Sequence, residues 1–368
     1  MKYFIRTFGC KTNQYESQLM KELIEQDGEV VVDDYCDADF VVVNSCAVTQ
    51  PAERDVYKFI RRVYRESKKI KKIFLVGCYS DYIKMNGLEK EFFKRLTVDL
   101  DVEFFGNEIK YKFIGDFCES NQIITKFFGH TRVYVKIQDG CNNFCSYCIV
   151  PYLRNKLYSK PKELVLEEVE GLVKNGYKEI YLVGTNIGKY LYFDGEKQYD
   201  FVDLSEEILF SFPKVVLIYT SLEVVDLNDK FFDFLKKYKN RIFPHFHIPL
   251  QSADDKILTD MRRKYDSNFY FEKISSLRKI YPDVIISCDL IVGYPLETYE
   301  SFLKTLDFIK KTRFNWVHVF PYSPRKSTES YKKYGEFVCY DVKKRVREVT
   351  HLNSLLGEKY FKEICKVI

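Results

Sequence analysis

Three cysteines occur close together near the middle of the chain, in the sequence GCNNFCSYCIVP, at Cys141, Cys145 and Cys148. Three thiols within eight residues, on a loop after an apolar strand pattern, indicate metal binding, because core packing requires no such clustering. Iron–sulfur clusters are commonly held by four cysteines, so three leave one iron without a protein ligand. We therefore expect an iron that can bind a small molecule, and hence an enzyme rather than a structural site.

A second group of three cysteines, Cys10, Cys46 and Cys78, is spread over the first part of the chain. Each of them falls just past a predicted strand. Because the carboxyl ends of parallel strands share one edge of a sheet, where ligands bind, we expect the three thiols to converge on a second cluster. The alternative is three ordinary buried cysteines, since a free cysteine packs as a small hydrophobic side chain.

A structural zinc site is the main alternative for the first group. Such sites usually have four Cys or His ligands, and the sequence offers no further one between Cys148 and His245. The remaining cysteines lack the strand-end placement, and we expect them to have packing roles: Cys36, Cys118, Cys288, Cys339 and Cys365.

The first 115 residues alternate apolar strand patterns with helical patterns, which predicts an α/β domain with a parallel sheet. Strands are predicted at residues 3–8, 39–44, 72–77 and 103–107. One helix is predicted from about Asn13, with Glu16 as a capping-box partner, and ends at Gly28. Another is predicted after Thr49 as N-cap, with Pro51 in its first turn.

After a predicted linker at residues 116–130, a second strand–helix series extends over residues 131–340. Its strand patterns begin at Arg132, Glu179, Val215, Pro244, Asp283 and Trp316. Six β/α units predict a partial (β/α)6 barrel of the TIM type rather than a complete eightfold barrel. A basic helix is expected over residues 341–368.

The chain of 368 residues is 46% hydrophobic, which favours a sizeable core and excludes a disordered protein. Because we find neither a signal peptide nor an apolar run of membrane-spanning length, we expect a cytoplasmic protein that does not contact the membrane. A reducing cytoplasm favours metal-binding or catalytic roles over disulfides for the eleven cysteines. Residues 58–72 carry eight Lys and Arg against one Glu, which fits either a solvated helix face or a phosphate-binding surface.

The x3, x2 spacing of the Cys141 group, with Tyr147 before its last cysteine, resembles the radical S-adenosylmethionine (SAM) superfamily. FGCKTNQYES, NSCAVT and VGCYS, around the cysteines of the second group, resemble the three amino-terminal motifs of the methylthiotransferases within that superfamily. Three further segments are similar to methylthiotransferase motifs: IPLQSADDKILTDMRRKY (248–265), CDLIVGYPLET (288–298) and FPYSPRKST (320–328). The resemblance covers nearly the whole chain.

This resemblance implies a methylthiotransferase α/β domain followed by a radical SAM partial barrel, with two [4Fe–4S] clusters. The cluster on Cys141, Cys145 and Cys148 would cleave SAM to a radical, and the auxiliary cluster on the second cysteine group would hold the sulfur. Two SAM molecules would be used per turnover, one as radical source and one as methyl donor. The SAM-binding residues that the resemblance implies are Tyr147, Gly184, Asn186, Ser221, Glu223, Ile291 and Gly293.

Residues 11–17 and 183–190 most resemble the branch that modifies C2 of N6-threonylcarbamoyladenosine at position 37 of tRNA. The partners implied are the tRNA anticodon stem-loop, an electron donor such as a flavodoxin-type protein, and a sulfur donor. Alternative substrates are isopentenyladenosine-37 tRNA and a ribosomal-protein aspartate. A non-enzymatic alternative is an iron–sulfur protein that binds RNA or senses redox state.

The sequence departs from the family pattern at several positions, including residues 158–160, Ala253 and Leu296. Arg154-Asn155 stands where the family usually has an Arg-Gly pair, and the chain stops at Ile368, before the usual RNA-binding β-barrel would begin. We therefore expect tRNA phosphates to contact residues 58–72 and the helix segment 343–347.

Overall fold

A five-stranded parallel sheet forms the first part of the molecule. The computed structural model describes residues 1–67, 69–97, 100–115, 123–127 and 132–364. The strands of this sheet are β1 (Lys2–Thr7), β2 (Val30–Val31), β3 (Phe40–Ser45), β4 (Lys72–Gly77) and β5 (Val102–Phe105), in the spatial order β2-β1-β3-β4-β5. The Val-rich run of β3 is buried on both faces, as expected for a central strand of a parallel sheet.

Four helices pack on this sheet: α1 (Lys11–Gln26), α2 (Gln50–Glu66), α3 (Cys78–Met85) and α4 (Glu89–Leu96). The Thr49 hydroxyl caps α2, and Pro51 lies in its first turn, as predicted. Helix α1 begins at Lys11 rather than near Asn13. The predicted capping role of Glu16 is wrong, because its side chain is fully buried and forms ion pairs with distant residues.

The second part of the molecule contains the strands β6 (Arg132–Asp139), β7 (Tyr158–Ser159), β8 (Glu179–Gly184), β9 (Leu191–Asp194), β10 (Lys197–Asp200), β11 (Val216–Tyr219), β12 (His245–His247), β13 (Ile285–Val292) and β14 (Trp316–Pro321). Strands β6, β8 and β11 are parallel neighbours, as are β12, β13 and β14. A parallel bridge from Leu217 to Ile242 connects the two sets. The six parallel strands confirm the predicted partial barrel.

The helices of this part are α5 (Val150–Leu153), α6 (Lys162–Lys174), α7 (Phe201–Ser211), α8 (Asp229–Lys237), α9 (Asp255–Asp260), α10 (Ser267–Ile280), α11 (Tyr299–Thr312), α12 (Glu329–Tyr334) and α13 (Val342–Ile364). Helix α13 packs against β14 and β13, so the expected basic helix is part of the barrel wall. No helix within the described ranges is both long and apolar enough to cross a membrane.

Helix α1 connects the two parts of the molecule. It contacts β6 and β8 of the barrel as well as β1 and β3 of the first sheet, and one hydrophobic core extends across both parts. The expected linker at residues 116–130 lies partly outside the described residues. Its described segment 123–127 is packed, since Ile124 is fully buried and Thr125 donates hydrogen bonds to Glu22 on α1.

Candidate functional site

The cysteines of the first sheet converge at its carboxyl edge. Cys10 precedes α1, Cys46 follows β3, and Cys78 is the first residue of α3 after β4. A Cβ atom on Gly9, which has a φ of +105°, would lie 2.7 Å from the Cβ of Cys46, so the backbone beside Cys10 directly contacts Cys46. The strand-end argument is thus confirmed for the positions of these cysteines.

Neighbouring thiols affect the ionisation of Cys46 and Cys78. Burial and the neighbouring Cys78 and Cys10 raise the pKa of Cys46 to about 12. Burial also raises the pKa of Cys78, while nearby Arg154 opposes the shift. Thiols packed in this way ionise only when a positive centre compensates their mutual repulsion, so the donor set fits an iron–sulfur cluster.

The Cys141 group lies on the loop between β6 and α5. The amide of Cys148 donates to the carbonyl of Cys145 at 2.9 Å, and the amide of Asn143 donates to the Cys141 sulfur at 3.5 Å. Phe144 has a φ of +46°, a strained conformation for a non-glycine residue that turns this loop sharply. Burial, reinforced by neighbouring thiols, raises the pKa of Cys141 and of Cys148.

Neither group resembles a zinc site. Within the described part of the chain, no set of three or more His, Cys, Asp and Glu side chains is arranged to hold a single metal ion. An iron–sulfur cluster needs a wider arrangement, because each cysteine binds a different iron.

Arg263 is a functional candidate that the sequence analysis missed. Its buried guanidinium donates to the Cys145 sulfur at 3.2 Å and to the Tyr147 hydroxyl at 3.5 Å, and it forms an ion pair with Glu223. The hydroxyl of Tyr265 accepts from its Nε at 3.1 Å. The signal was present in the quoted segment DMRRKY, but nothing in that segment shows which arginine turns inward.

Two of the residues assigned to SAM share a small cavity with Cys145. Asn186 and Glu223 line a space of about 30 Å³ together with Arg263. The Oδ1 of Asn186 is buried and has no hydrogen-bond partner among the described residues. An unpaired buried acceptor costs free energy unless a ligand donates to it, so this atom fits the ammonium group of an amino acid such as the methionine part of SAM.

A larger cavity, of about 170 Å³, lies beside Cys148 and the residues that follow Cys46. Cys148, Tyr147 and Ile291 line one side of it, while Val48 and Thr49, which follow Cys46, line another. Phe320 and Asp289 also face this space, which is mainly apolar. The cavity therefore opens to the neighbourhood of both groups.

Three other residues assigned to SAM are held by contacts within the protein. A Cβ on Gly184 would lie 2.9 Å from the carbonyl oxygen of Gln138, and one on Gly293 would lie 2.8 Å from the Cβ of Cys339. Ser221, with a φ of +61°, accepts a hydrogen bond from the Ile187 amide through its carbonyl. Strand and loop packing explains both glycines, and SAM contact by these three stays a prediction.

The packing roles expected for the other cysteines hold for two of them. Cys288 and Cys339 are buried, but Cys36 is exposed, so its predicted packing role is wrong. Cys118 and Cys365 lie outside the described residues.

The described basic side chains within residues 58–72 are mostly exposed, although some of them form contacts within the protein. The Arg61 side chain donates to the carbonyl of Leu96, and Lys72 pairs with Asp101 and Glu103. The second expected phosphate surface needs a correction. Arg345, within the segment 343–347, is buried and pairs with Glu297, because α13 packs on the barrel.

Comparisons with known families match both parts of the chain. Residues 135–309 match the Radical SAM superfamily, and residues 2–99 match a family described as Uncharacterized protein family UPF0004. Among solved structures, the radical SAM methyltransferase TsrM from Kitasatospora setae has a similar fold, with a TM-score of 0.59 and 12% sequence identity. The superposition includes 88% of this chain and 76% of the TsrM chain. That likeness concerns the fold.

Curated relatives are similar along most of the chain. The threonylcarbamoyladenosine tRNA methylthiotransferase MtaB of Thermotoga maritima is 35% identical over 90% of this chain and 77% of its own length. MtaB of Bacillus subtilis is 33% identical over 96% of this chain and 80% of its own length. The tRNA-2-methylthio-N(6)-dimethylallyladenosine synthase of Azobacteroides pseudotrichonymphae is also 33% identical, over 97% of this chain and 83% of its own length. The chain therefore belongs to the radical SAM methylthiotransferase family.

Proposed function

We propose that this enzyme adds a methylthio group to C2 of N6-threonylcarbamoyladenosine at position 37 of tRNA. The observation that carries the proposal is the apolar cavity of about 170 Å³ that is lined by Cys148 and by Val48 and Thr49, which follow Cys46. A methylthio transfer needs the sulfur-bearing site and the radical-generating site to reach one substrate atom. A cavity bordered by Cys148 and by the residues after Cys46 meets that requirement.

Membership in the family implies a [4Fe–4S] cluster and SAM, and the Cys141 group with the unpaired Oδ1 of neighbouring Asn186 fits them. We further propose that Cys10, Cys46 and Cys78 hold a second cluster and that two SAM molecules are used per turnover. When bound, these groups supply radical chemistry at a C–H bond, which offers no proton that an acid or base could remove.

The roles proposed for the chain's own residues follow from their contacts. Arg263 is the hydrogen-bond donor that orients Cys145, and Glu223 neutralises the buried guanidinium. Ile291 and Phe320 form apolar walls of the cavity, which excludes water from a reactive radical. Asn186 offers its free Oδ1 to the ammonium group of SAM.

The choice of nucleoside rests on the residues after Cys10 and on the relatives. Residues 11–17 read KTNQYES, and two of the relatives at 33–35% identity carry the name MtaB. Relatives named for dimethylallyladenosine are almost as similar, so that nucleoside is the competing substrate. The reaction also needs a one-electron reductant and a source of sulfur.

The experiment offers both tRNA substrates to anaerobically reconstituted protein with SAM, dithionite and sulfide, and measures nucleosides by mass spectrometry. We expect the methylthio product on tRNA that carries threonylcarbamoyladenosine and at least tenfold less on tRNA that carries dimethylallyladenosine. The reverse preference would transfer the assignment to the dimethylallyl substrate. Formation of 5′-deoxyadenosine without either product would contradict tRNA methylthiolation.

A further inference from the structure

We propose that Arg154 is a positioning residue that holds the Cys78 thiolate, links the Cys10 group to the Cys141 group, and raises the reduction potential of the second cluster. The inference rests on the proposed function only in taking Cys10, Cys46 and Cys78 as ligands of an iron–sulfur cluster. Arg154 is 6% exposed, so its charge must be satisfied inside the protein.

Each nitrogen of the Arg154 guanidinium has an acceptor. Its Nε donates to the Cys78 sulfur at 3.3 Å, while Nη1 and Nη2 hold the two oxygens of Glu16 at 2.8 and 3.0 Å. Nη1 also donates to Asp139 at 2.8 and 2.9 Å, and Nη2 donates to the Oδ1 of Asn13 at 3.3 Å. Only a planar fork can make these contacts together, so lysine is not an equivalent residue here.

The Asn13 side chain, which Arg154 contacts, lies next to the other two cysteines of the group. Its Oδ1 lies 3.6 Å from the Cys10 sulfur. Its Nδ2 donates to the carbonyl of Phe8 at 2.8 Å and to the carbonyl of Ser45, beside Cys46, at 3.1 Å. The guanidinium and this amide therefore lie against the sulfurs of Cys78 and Cys10 and against the backbone beside Cys46.

The backbone of Arg154 contacts the Cys141 group. Its carbonyl accepts a hydrogen bond from the Cys141 amide at 3.2 Å. A Cβ on Gly140 would lie 3.1 Å from that carbonyl oxygen and 2.1 Å from the carbonyl oxygen of Lys156, so the two segments touch closely. One residue thus contacts the first cysteine of one group through its backbone and the last cysteine of the other through its side chain.

The charges around Arg154 favour an anion at Cys78. Lys110 and Lys136 pair with Glu16 at 2.6 and 2.8 Å, so the Glu16 carboxylate is shared among three cations, and one of them, Arg154, also reaches the Cys78 sulfur.

When Cys78 is a thiolate, its contact with the Arg154 guanidinium is a charge-assisted hydrogen bond. The nearby carboxylate of Asp81 accepts hydrogen bonds from the amide and side chain of Asn107. A hydrogen bond and a positive charge at a ligand sulfur favour the reduced, more negative form of a cluster. Loss of the guanidinium is therefore expected to lower the reduction potential.

The test isolates the second cluster in the full chain by replacing Cys141, Cys145 and Cys148 with Ala. In this background the midpoint potential and electron paramagnetic resonance spectrum are measured for Arg154→Gln, for Arg154→Lys and for a control, Arg241→Gln. Arg241 donates to the carbonyls of Val215 and Phe212, before the amino ends of barrel strands and away from both cysteine groups.

We expect a more negative midpoint for Arg154→Gln, a smaller shift for Arg154→Lys, and none for Arg241→Gln. A cluster lost from Arg154→Gln but retained in Arg241→Gln also supports the proposal, provided that the Arg154→Gln chain has parental circular dichroism.

Unchanged potentials in both Arg154 variants, at full iron content, would overturn it. If Arg154→Gln does not fold, an unchanged potential in Arg154→Lys overturns it alone. If the triple-Ala parent itself holds no cluster, the proposed second cluster is wrong, and the Arg154 proposal falls with it. A failure of the Arg154 proposal alone leaves the cluster of the triple-Ala parent in place.

Discussion

At the scale of single residues, the side chain of Arg263 sets the surroundings of the Cys141 group. It is buried beside the Cys145 sulfur, and Glu223 supplies its counter-charge. Removing such a partner of a metal ligand typically lowers metal affinity or activity by roughly 10–100-fold. We predict that Arg263→Gln lowers the rate of 5′-deoxyadenosine formation by about this factor, and that Arg241→Gln does not.

The measurement is the yield of 5′-deoxyadenosine from SAM per iron bound, under dithionite. Normalising to iron separates slow chemistry from poor cluster loading. An Arg263→Gln protein that cleaves SAM at the parental rate would show that the contact with Cys145 has no part in catalysis.

Asp226 gives a pH-dependent prediction. Burial, reinforced by neighbouring Glu223, raises the pKa of this carboxyl to about 6. The folded protein then binds the proton more tightly than the unfolded chain, so stability falls as pH rises from about 4 to about 6. The loss is at most about 3 kcal/mol, because each pKa unit corresponds to about 1.4 kcal/mol.

Asp226→Asn removes this penalty while keeping an acceptor for the Glu223 amide. We expect its unfolding midpoint to exceed that of the parent at pH 8 and the gap to narrow towards pH 4, as followed by circular dichroism in urea. Asp233→Asn, at an exposed site, is the control. A gap that is the same at every pH would contradict the raised pKa.

At the scale of elements, helix α1 joins the first sheet to the barrel through a buried carboxylate. Glu16 pairs with Lys110, Lys136 and Arg154, and these cations hold its pKa well below the usual range. The pairs are therefore fully formed above the unfolded pKa near 4.5 and weaken only in stronger acid. Breaking a buried ion pair from one side typically costs roughly 3–5 kcal/mol.

We predict that Glu16→Gln destabilises the protein by about that amount at pH 7, measured by urea unfolding. Glu25→Gln is the matched control on the same helix, because Glu25 pairs with Lys126 in an exposed position. Such surface pairs contribute about 1 kcal/mol or less. Equal effects of the two substitutions would contradict the view that the buried carboxylate holds the two parts together.

The elements that the sequence predicted well are those with a strong apolar run. Strand β4 has the predicted bounds, β8 begins at the predicted residue, and the cap of α2 lies where Thr49 predicts it. The two-residue β2 and the polar hairpin of β9 and β10 lack such a run and were missed.

Within the site, the cysteines could be predicted because one residue type recurs at strand ends. Arg154 could not, because its contacts with Cys78 and Asn13 lie 76 and 141 positions away in sequence. Glu16 was misread for the same reason, since a local capping rule competes with tertiary ion pairs that only the fold reveals.

At the scale of the whole molecule, the exposed basic face of α2 and the loop after it is the predicted contact for tRNA phosphates. Each phosphate contact contributes roughly 0.7–0.9 to the slope of log affinity against log salt. We predict that replacing Arg62, Arg65 and Lys69 with Gln weakens tRNA binding and reduces this slope, as measured by fluorescence anisotropy. The same three-charge change at Lys174, Lys236 and Lys237, on exposed faces of α6 and α8, is the control.

Two outcomes would contradict a tRNA-binding surface on α2. If both triple variants lose affinity equally, binding reflects net charge rather than a defined surface. If only the control weakens, the phosphate path follows the barrel helices instead of α2.

The central claim is that the six cysteines form two independent ligand sets, and iron and sulfide analysis tests it most directly. Anaerobically reconstituted parent, Cys46→Ala and Cys145→Ala are compared per mole of chain. Two [4Fe–4S] clusters predict about eight irons and eight sulfides for the parent and about four of each for either variant. A parent with four irons or fewer, or a variant that loses all of its iron, would contradict two separate sites.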